Sequence, residues 1–445
     1  MIGIVMFFAA LVMLVVGFPV AFTFGSVSIF FGAAAAVVEL MPDATLAAVS
    51  EEFFLMFSMM PFRIYSIMTN TILMAIPLFI FMGIVLQKSE LAERLLESMG
   101  ALFGKVRGGV AVSTVLVGTL LAASTGVVGA SVVAMGVISL PVMLKYGYSK
   151  KLATGTICAS GTLGQIIPPS IVLIILGDVF QQPVGDLFKV ALMPGLMLVG
   201  LYVTYILIIA FWDKDAAPAI VDDEGNAGKA SISKALLAII PPLTLIVMVL
   251  GSIFMGIATP TESASVGAIG ALCLAAMYRK LSWRVVDESL NETVKITAMV
   301  FAILIGATAF SMVFVYSGAD YIVEDFLTTL PGEKWGFLIL SMLAIMALGF
   351  FIDFIEISYI VVPILLPIAE TIGIDPLWFA ILIAMNLQTS FLTPPFGFSL
   401  FYLKGVCPPE VRTVDIYKGV MPFIAIQVLV LISIVLFPAF YGFKV

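Results

Sequence analysis

The chain has no histidine, only three cysteines, and charged residues at just 11% of its 445 positions. Without histidine there are no His-ligated metals, no Ser-His triad and no HExxH zinc chemistry. Cys158, Cys273 and Cys407 share no spacing, so they imply neither a disulfide framework nor a zinc site. No basic patch or aromatic RNA-binding motif occurs, which excludes nucleic acid as a partner. No embedded aspartate sits in a GxGD pattern, which argues against an intramembrane protease.

What is present is apolar. Hydrophobic residues make up 62% of the chain, and the mean hydropathy is +1.19. A soluble domain is roughly half apolar and a quarter charged. The composition therefore specifies an all-α polytopic membrane protein whose main surroundings are the lipid bilayer. The first residues, MIGIVMFFAALVML, lack a basic n-region and a small-residue cleavage site, and read as a first membrane helix.

One pattern recurs 226 residues apart: Pro141 matches Pro367, Gly147 matches Gly373, and Pro168-Pro169 match Pro394-Pro395. Each copy puts Gly, Ser, Thr and paired prolines inside apolar sequence, as SGTLGQIIPPS at Ser160–Ser170 and NLQTSFLTPPF at Asn386–Phe396. Proline breaks a helix, and broken backbone at membrane depth is tolerated only where it lines a protein-enclosed cavity. Paired interrupted segments in two halves of a membrane chain point to a transporter's binding site.

Most apolar runs fit one crossing of ~20 residues. Two are longer, 110–140 and 336–368, and each has a polar centre: Ala123–Ser131 and Ile352–Ser358. These predict re-entrant helical hairpins; the competing reading is a long tilted helix. Cationic loops alternate with acidic or cation-poor ones, and the positive-inside rule then puts the N-terminus outside. The expected architecture is an inverted-topology repeat with about ten transmembrane helices plus two hairpins. The first repeat covers 1–211, with scaffold helices at 1–108, hairpin and broken helix at 109–180, and a return helix at 187–211. A cytoplasmic linker spans 212–234. The second repeat covers 235–445, with scaffold helices at 235–316, hairpin and broken helix at 336–403, and a return helix at 417–441. Both termini then lie on the outer face. Ser89–Met99 and Trp283–Val294 are amphipathic and suggest interfacial helices or braces, the alternative being ordinary polar connectors.

Interrupted helices free carbonyls, and Ser, Thr and Asn add oxygens; together they suit a hard cation such as sodium. In the first half the tip Ser124, Thr125 and Gly126 can face Ser160, Gly161 and Gly164. In the second, Asp353 can face Asn386, Thr389 and Thr393. A solute pocket between the tips would draw on Ser131, Gln165, Glu356, Ser358 and Gln388. The bland alternative is close helix packing through small residues. Asp353 and Glu356 sit inside an apolar run, where a charge costs ~2.5–3.5 kcal/mol or more, so the default reading is functional; the alternative is a tip solvated in a vestibule. Glu262 reads as a helix-start carboxylate and Arg63 and Lys189 as helix-end anchors.

Six segments, in this order, carry a family resemblance: GFPVAF at Gly17–Phe22, IPLFIFMG at Ile76–Gly83, SGTLGQIIPPSI at Ser160–Ile171, ATPTESASVG at Ala258–Gly267, FIDFIEISYIVVPILLPI at Phe351–Ile368 and LTPPFGFSLFYLKG at Leu392–Gly405. Over essentially its whole length the chain resembles the large membrane subunit (DctM-like, M subunit) of the tripartite ATP-independent periplasmic (TRAP) transporters. The resemblance implies a bacterial inner-membrane protein that is not an enzyme and has no enzymatic cofactor. It implies sodium ions as coupling ions and an elevator in which hairpins and broken helices slide within a scaffold. It also implies a small organic-anion substrate, a periplasmic binding protein (DctP-like) and a small four-helix membrane subunit (DctQ-like). The small subunit is expected as a separate chain, because this one begins directly at the large-subunit pattern. It favours sodium sites at the residues named above. A self-sufficient divalent-anion/sodium symporter without a binding protein is the alternative.

Overall fold

A computed structural model describes residues 1–41, 45–103, 106–219, 232–332 and 334–443; the side chains of Ala92, Ala101, Ser124 and 232–238 fall outside the described set. Every regular element among the described residues is helical. Six helices are long and apolar enough to cross a membrane: Val20–Glu39, Val128–Lys145, Val184–Trp212, Trp283–Tyr316, Phe354–Thr371 and Thr413–Leu436. Shorter apolar helices include Ile2–Val16, Lys334–Leu348 and Pro376–Leu392. The expected figure of about ten crossings counts these shorter and broken helices as well. Two of the long helices, Val128–Lys145 and Phe354–Thr371, are the second arms of the predicted hairpins, so length alone does not identify a crossing.

The first long apolar run folds as two helices, Gly109–Thr125 and Val128–Lys145, separated at Gly126, whose φ of 63° is readily reached by glycine. Polar contacts across the pair are nested. The Tyr148 hydroxyl accepts from the Val110 N–H at 3.3 Å, Thr114 Oγ1 lies 3.9 Å from Met143 Sδ, and Thr125 Oγ1 lies 2.7 Å from Ser131 Oγ. Nesting of this kind requires antiparallel arms, so the run is a hairpin and not a tilted rod.

The second run breaks between Leu348 and Phe354, with Asp353 capping the second arm, whose first turns include a π-helical stretch at Ile357–Val361. Its first arm lies beside the helix Pro376–Leu392: Asn386 Nδ2 donates to the Met342 carbonyl at 2.6 Å, and Gly349 packs on Ser390. The first half repeats the relation, with Gly118 on Ser160 and Gly164 on Ala122. In both halves the first arm ascends in step with the broken helix that follows it. The intervening arm must therefore run back.

Each Pro-Pro pair ends a helix and starts a shorter one. Lys150–Thr162 and a single 3₁₀ turn, Leu163–Gln165, give way to Ile171–Val179; Pro376–Leu392 gives way to Phe398–Val406. Both Pro-Pro bonds are cis. The helix bounds on either side of the 226-residue offset agree within a few residues along the hairpins, broken helices and return helices.

Outside this centre, the helices Ala75–Lys88 and Pro260–Met277 pack together, as do Val20–Glu39 and Trp283–Tyr316. Lys88 joins the two halves by pairing with Glu288 at 3.2 Å and Glu292 at 2.8 Å, and Lys280 pairs with Glu90. The amphipathic segment Ser89–Met99 falls mostly in a helix of its own, Leu91–Phe103, whose stretch Glu93–Gly100 is bent 57° from Ala75–Lys88. Its expected counterpart, Trp283–Val294, does not: it is the start of an unbroken 34-residue helix, Trp283–Tyr316. Nothing after Val294 stops that helix: no proline intervenes, and its one glycine, Gly306, has no left-handed φ. The Glu262 reading holds: Glu262 and Thr259 form a reciprocal capping box ahead of Pro260–Met277. Of the predicted linker 212–234, residues 220–231 lie outside the described residues.

Candidate functional site

At each break, backbone groups lose their helical partners, and side chains replace them. Ser170 Oγ donates to the Gln165 carbonyl at 2.6 Å; Ser399 Oγ donates to the Phe391 carbonyl at 2.8 Å. Gln165 and Phe391 are repeat mates, yet their two serines are not. The same orphan carbonyl is satisfied in each half from a different place in the sequence. This task of Ser399 was not legible from its spacing.

The first tip lies on the first break. Gly126 packs against Ile171, at the start of the short helix; a Cβ at Gly126 would lie 2.9 Å from Ile171 Cγ1. Gly164 abuts the Ala122 backbone, where a Cβ would lie 2.7 Å from the carbonyl carbon, and Gly161 abuts Val132. These glycines admit the hairpin between the two halves of the broken helix. Ser160 sits lower, opposite Gly118, and its hydroxyl bonds back to the Ile157 carbonyl at 3.1 Å. The arms rise in step, so each level of the hairpin meets its own level of the broken helix, and Ser160 and Thr125 are not opposed. Ser124 belongs to the first arm, with its side chain outside the described set.

The second tip lies on the second break through aromatic rings. Phe351 and Phe396 are 5.1 Å apart, Phe354 and Phe391 6.3 Å, and Phe391 and Phe398 5.0 Å. Asp353 Oδ1 accepts from the Phe354 N–H at 2.7 Å. Thr389 and Thr393 bond back to the Met385 and Thr389 carbonyls at 2.8 and 2.7 Å. Their protons are spent within the helix, which leaves the hydroxyl lone pairs for a cation.

The two halves interlock. The second arm of the first hairpin lies across Phe398–Val406, with Gly136 against Leu403 and Val406. Cys158 Sγ donates to the Ser399 carbonyl at 3.7 Å. Tips and breaks therefore form one central cluster.

That cluster holds polar atoms with no protein partner. Gln165 and Gln388 are wholly buried, and both ends of each amide are unpaired; Glu356 Oε2 and Ser358 Oγ are likewise buried and unpaired. Burying such a group without a bond costs roughly 1–3 kcal/mol or more. Four of the five expected solute residues are in this state. The fifth, Ser131, is engaged by Thr125. Uncharged amides, hydroxyls and a carboxylate are hard oxygen donors that fit an alkali cation or a hydrogen-bonding solute.

Two groups escaped the sequence reading. Asn70 Nδ2 donates to Asp178 Oδ1 at 2.6 Å, and the Tyr359 phenol lies beside the same carboxylate. Asp178 reads from sequence as part of an acidic outer loop, whereas it closes the helix Ile171–Val179. No local signal links residues 108 positions apart.

An all-helical membrane protein with two hairpins set into two broken helices has the form of a secondary transporter. The family model for the tripartite ATP-independent periplasmic transporter, DctM component, matches residues 6–440, and the chain belongs to that family. It is 33% identical, over 82% of its length and 84% of the relative's, to the C4-dicarboxylate TRAP transporter large permease protein DctM of Pseudomonas aeruginosa. It is 31% identical, over 82% and 84%, to the ectoine TRAP transporter large permease protein TeaC of Halomonas elongata. The crystal structure of the Alcanivorax borkumensis YdaH transporter shares the fold at a TM-score of 0.61 and 13% identity, over 96% of this chain and 98% of that one.

Proposed function

We propose that the chain drives sodium-coupled uptake of a small organic anion across the bacterial inner membrane, as the large subunit of a binding-protein-dependent transporter. The observation that carries this reading is the buried, unpartnered set Gln165, Gln388, Glu356 and Ser358 beside two interrupted helices. Buried polar groups are retained at such a cost where a ligand completes them. Sodium sites would use the tip and break of each half: Thr125, Gly126, Gly161 and Gly164, with Ser124, in one; Asp353, Thr389 and Thr393 in the other; Ser160 and Asn386 lie lower, opposite Gly118 and Met342. The hairpins and broken helices would move as a unit against the scaffold helices, an elevator motion between mirror-related halves, with both termini outside.

Family membership supports a periplasmic DctP-like binding protein and a DctQ-like small subunit as partners. The relatives' names include a dicarboxylate and a zwitterionic carboxylate, ectoine. A carboxylate is common to these two solutes, while a further relative is named for isethionate, a sulfonate, so an anionic oxygen group is the feature all three share. The test is uptake into proteoliposomes holding both membrane subunits under an inward sodium gradient. Uptake should need both sodium and the binding protein. Equal uptake without the binding protein would instead match a self-sufficient symporter, and uptake indifferent to sodium would overturn the coupling.

A further inference from the structure

We propose that Tyr402 positions the solute, its hydroxyl donating a hydrogen bond to the carboxylate of the transported anion between the two hairpin tips. This rests on the uptake reading above and adds to it a residue outside the set already named.

The short helix Phe398–Val406 is pinned along one side. Phe398 stacks on Phe391, Ser399 holds the Phe391 carbonyl, and Leu400 and Leu403 are buried. Tyr402 lies on the other side and is 43% exposed. Its ring crosses Gly129, one residue into the second arm of the first hairpin; a Cβ there would lie 2.9 Å from Tyr402 Cζ, the carbon that bears the hydroxyl. The helix that carries Tyr402 starts beside the second tip, where Phe398 packs on Phe391 at 5.0 Å and Phe391 on Phe354 at 6.3 Å. Tyr402 therefore lies against the first tip on a helix that starts at the second, and the hydroxyl end of its ring is the part that lies over Gly129.

The matched positions in the other half show what mere packing would look like there. Leu176 stands where Tyr402 does and Ile355 where Gly129 does, and both are buried. Aliphatic side chains suffice for that crossing of arm and short helix. In the second short helix the crossing carries an open phenol over a glycine, and packing does not call for a hydroxyl. A phenol is a neutral donor, so it can bind an anion beside Asp353 and Glu356 without forming an ion pair with either.

The experiment uses the full chain with its small subunit, solubilised in saturating sodium, with succinate, sialic acid and ectoine as probes. Thermal stabilisation by each probe gives its dissociation constant. Tyr402→Phe keeps the ring and should raise that constant about tenfold or more, the scale of a hydrogen bond to a charged group, with the solute-free melting temperature unchanged. Gly129→Ala pushes on the ring and should weaken the same probe; combined with Tyr402→Phe it should add little. An unchanged constant in Tyr402→Phe, alongside sodium-driven uptake by the wild type, overturns this role alone. A wild type stabilised by none of the probes overturns it too, and absence of sodium-driven uptake overturns the underlying reading.

Discussion

Asn70 and Asp178 share a hydrogen bond of 2.6 Å across 108 residues of sequence. Asn70 follows the helix Met60–Thr69, and its Oδ1 also accepts from the Ile72 N–H at 2.9 Å, which fixes the amide's orientation. Asp178 belongs to the short helix beyond the first break. This bond joins a segment expected to stay still to a short helix expected to move.

If the short helix travels relative to residue 70, this bond must open in each cycle. Asn70→Ala and Asp178→Asn should each change the initial rate of sodium-driven uptake several-fold. The double variant should resemble the more affected single one, because contacting residues couple by about 0.5–3 kcal/mol. Fully additive effects at matched protein levels would show that the contact has no part in the rate.

Asp353 offers a way to separate charge from capping. Asp353→Asn keeps an acceptor for the Phe354 N–H, and so preserves the start of the second arm. It removes the charge a cation would meet. The sodium concentration for half-maximal uptake should rise about tenfold, with the protein's yield unchanged. Wild-type sodium dependence would remove Asp353 from the proposed site.

Gly349 and Ser390 form a second test of the tip. A Cβ at Gly349 would lie 2.8 Å from Ser390 Cβ and would overlap the Ser390 hydroxyl. Gly349→Ala should cost about 1–3 kcal/mol through overpacking and depress uptake. Adding Ser390→Gly should restore part of it, and a lower melting temperature that the second change fails to raise would refute the pairing.

Much of this centre was legible because breaking a membrane helix takes conspicuous residues. Pro168-Pro169 and Pro394-Pro395 mark both breaks, and the polar centres Ala123–Ser131 and Ile352–Ser358 of two over-long apolar runs mark both hairpins. Gln165, Gln388 and Glu356 were visible for a related reason: a polar side chain in such surroundings has few innocuous explanations. The partners of Asp178 and the separate serine caps were not visible. They depend on which helices become neighbours, and hydropathy is silent on that. The continuation of Trp283–Val294 into the membrane was missed because an amphipathic pattern alone does not say whether a helix stops where its character changes.

In the charged first turns of Trp283–Tyr316, ahead of its apolar stretch, acidification should reach the brace around Glu288. The Arg284 Nε–H bond, followed by the Lys88 bond, holds the Glu288 carboxyl below its ordinary value of 4.5. A depressed carboxylate contributes stability above that ordinary value, and the contribution is lost as the pH falls through the lowered one. The melting temperature of the solubilised protein should drop between pH 7 and about pH 3.5, and Glu288→Gln should flatten that drop. Parallel curves for the two proteins would place the acid sensitivity elsewhere.

The helix Trp283–Tyr316 has 34 residues without interruption. At 1.5 Å per residue it is about 51 Å long, against a hydrocarbon core of about 30 Å. Such a rod supplies a ruler fastened to the protein itself. Spin labels at its two ends would keep a constant separation, so a third label on either hairpin would report displacement against a fixed baseline, whatever lipid or detergent surrounds the molecule.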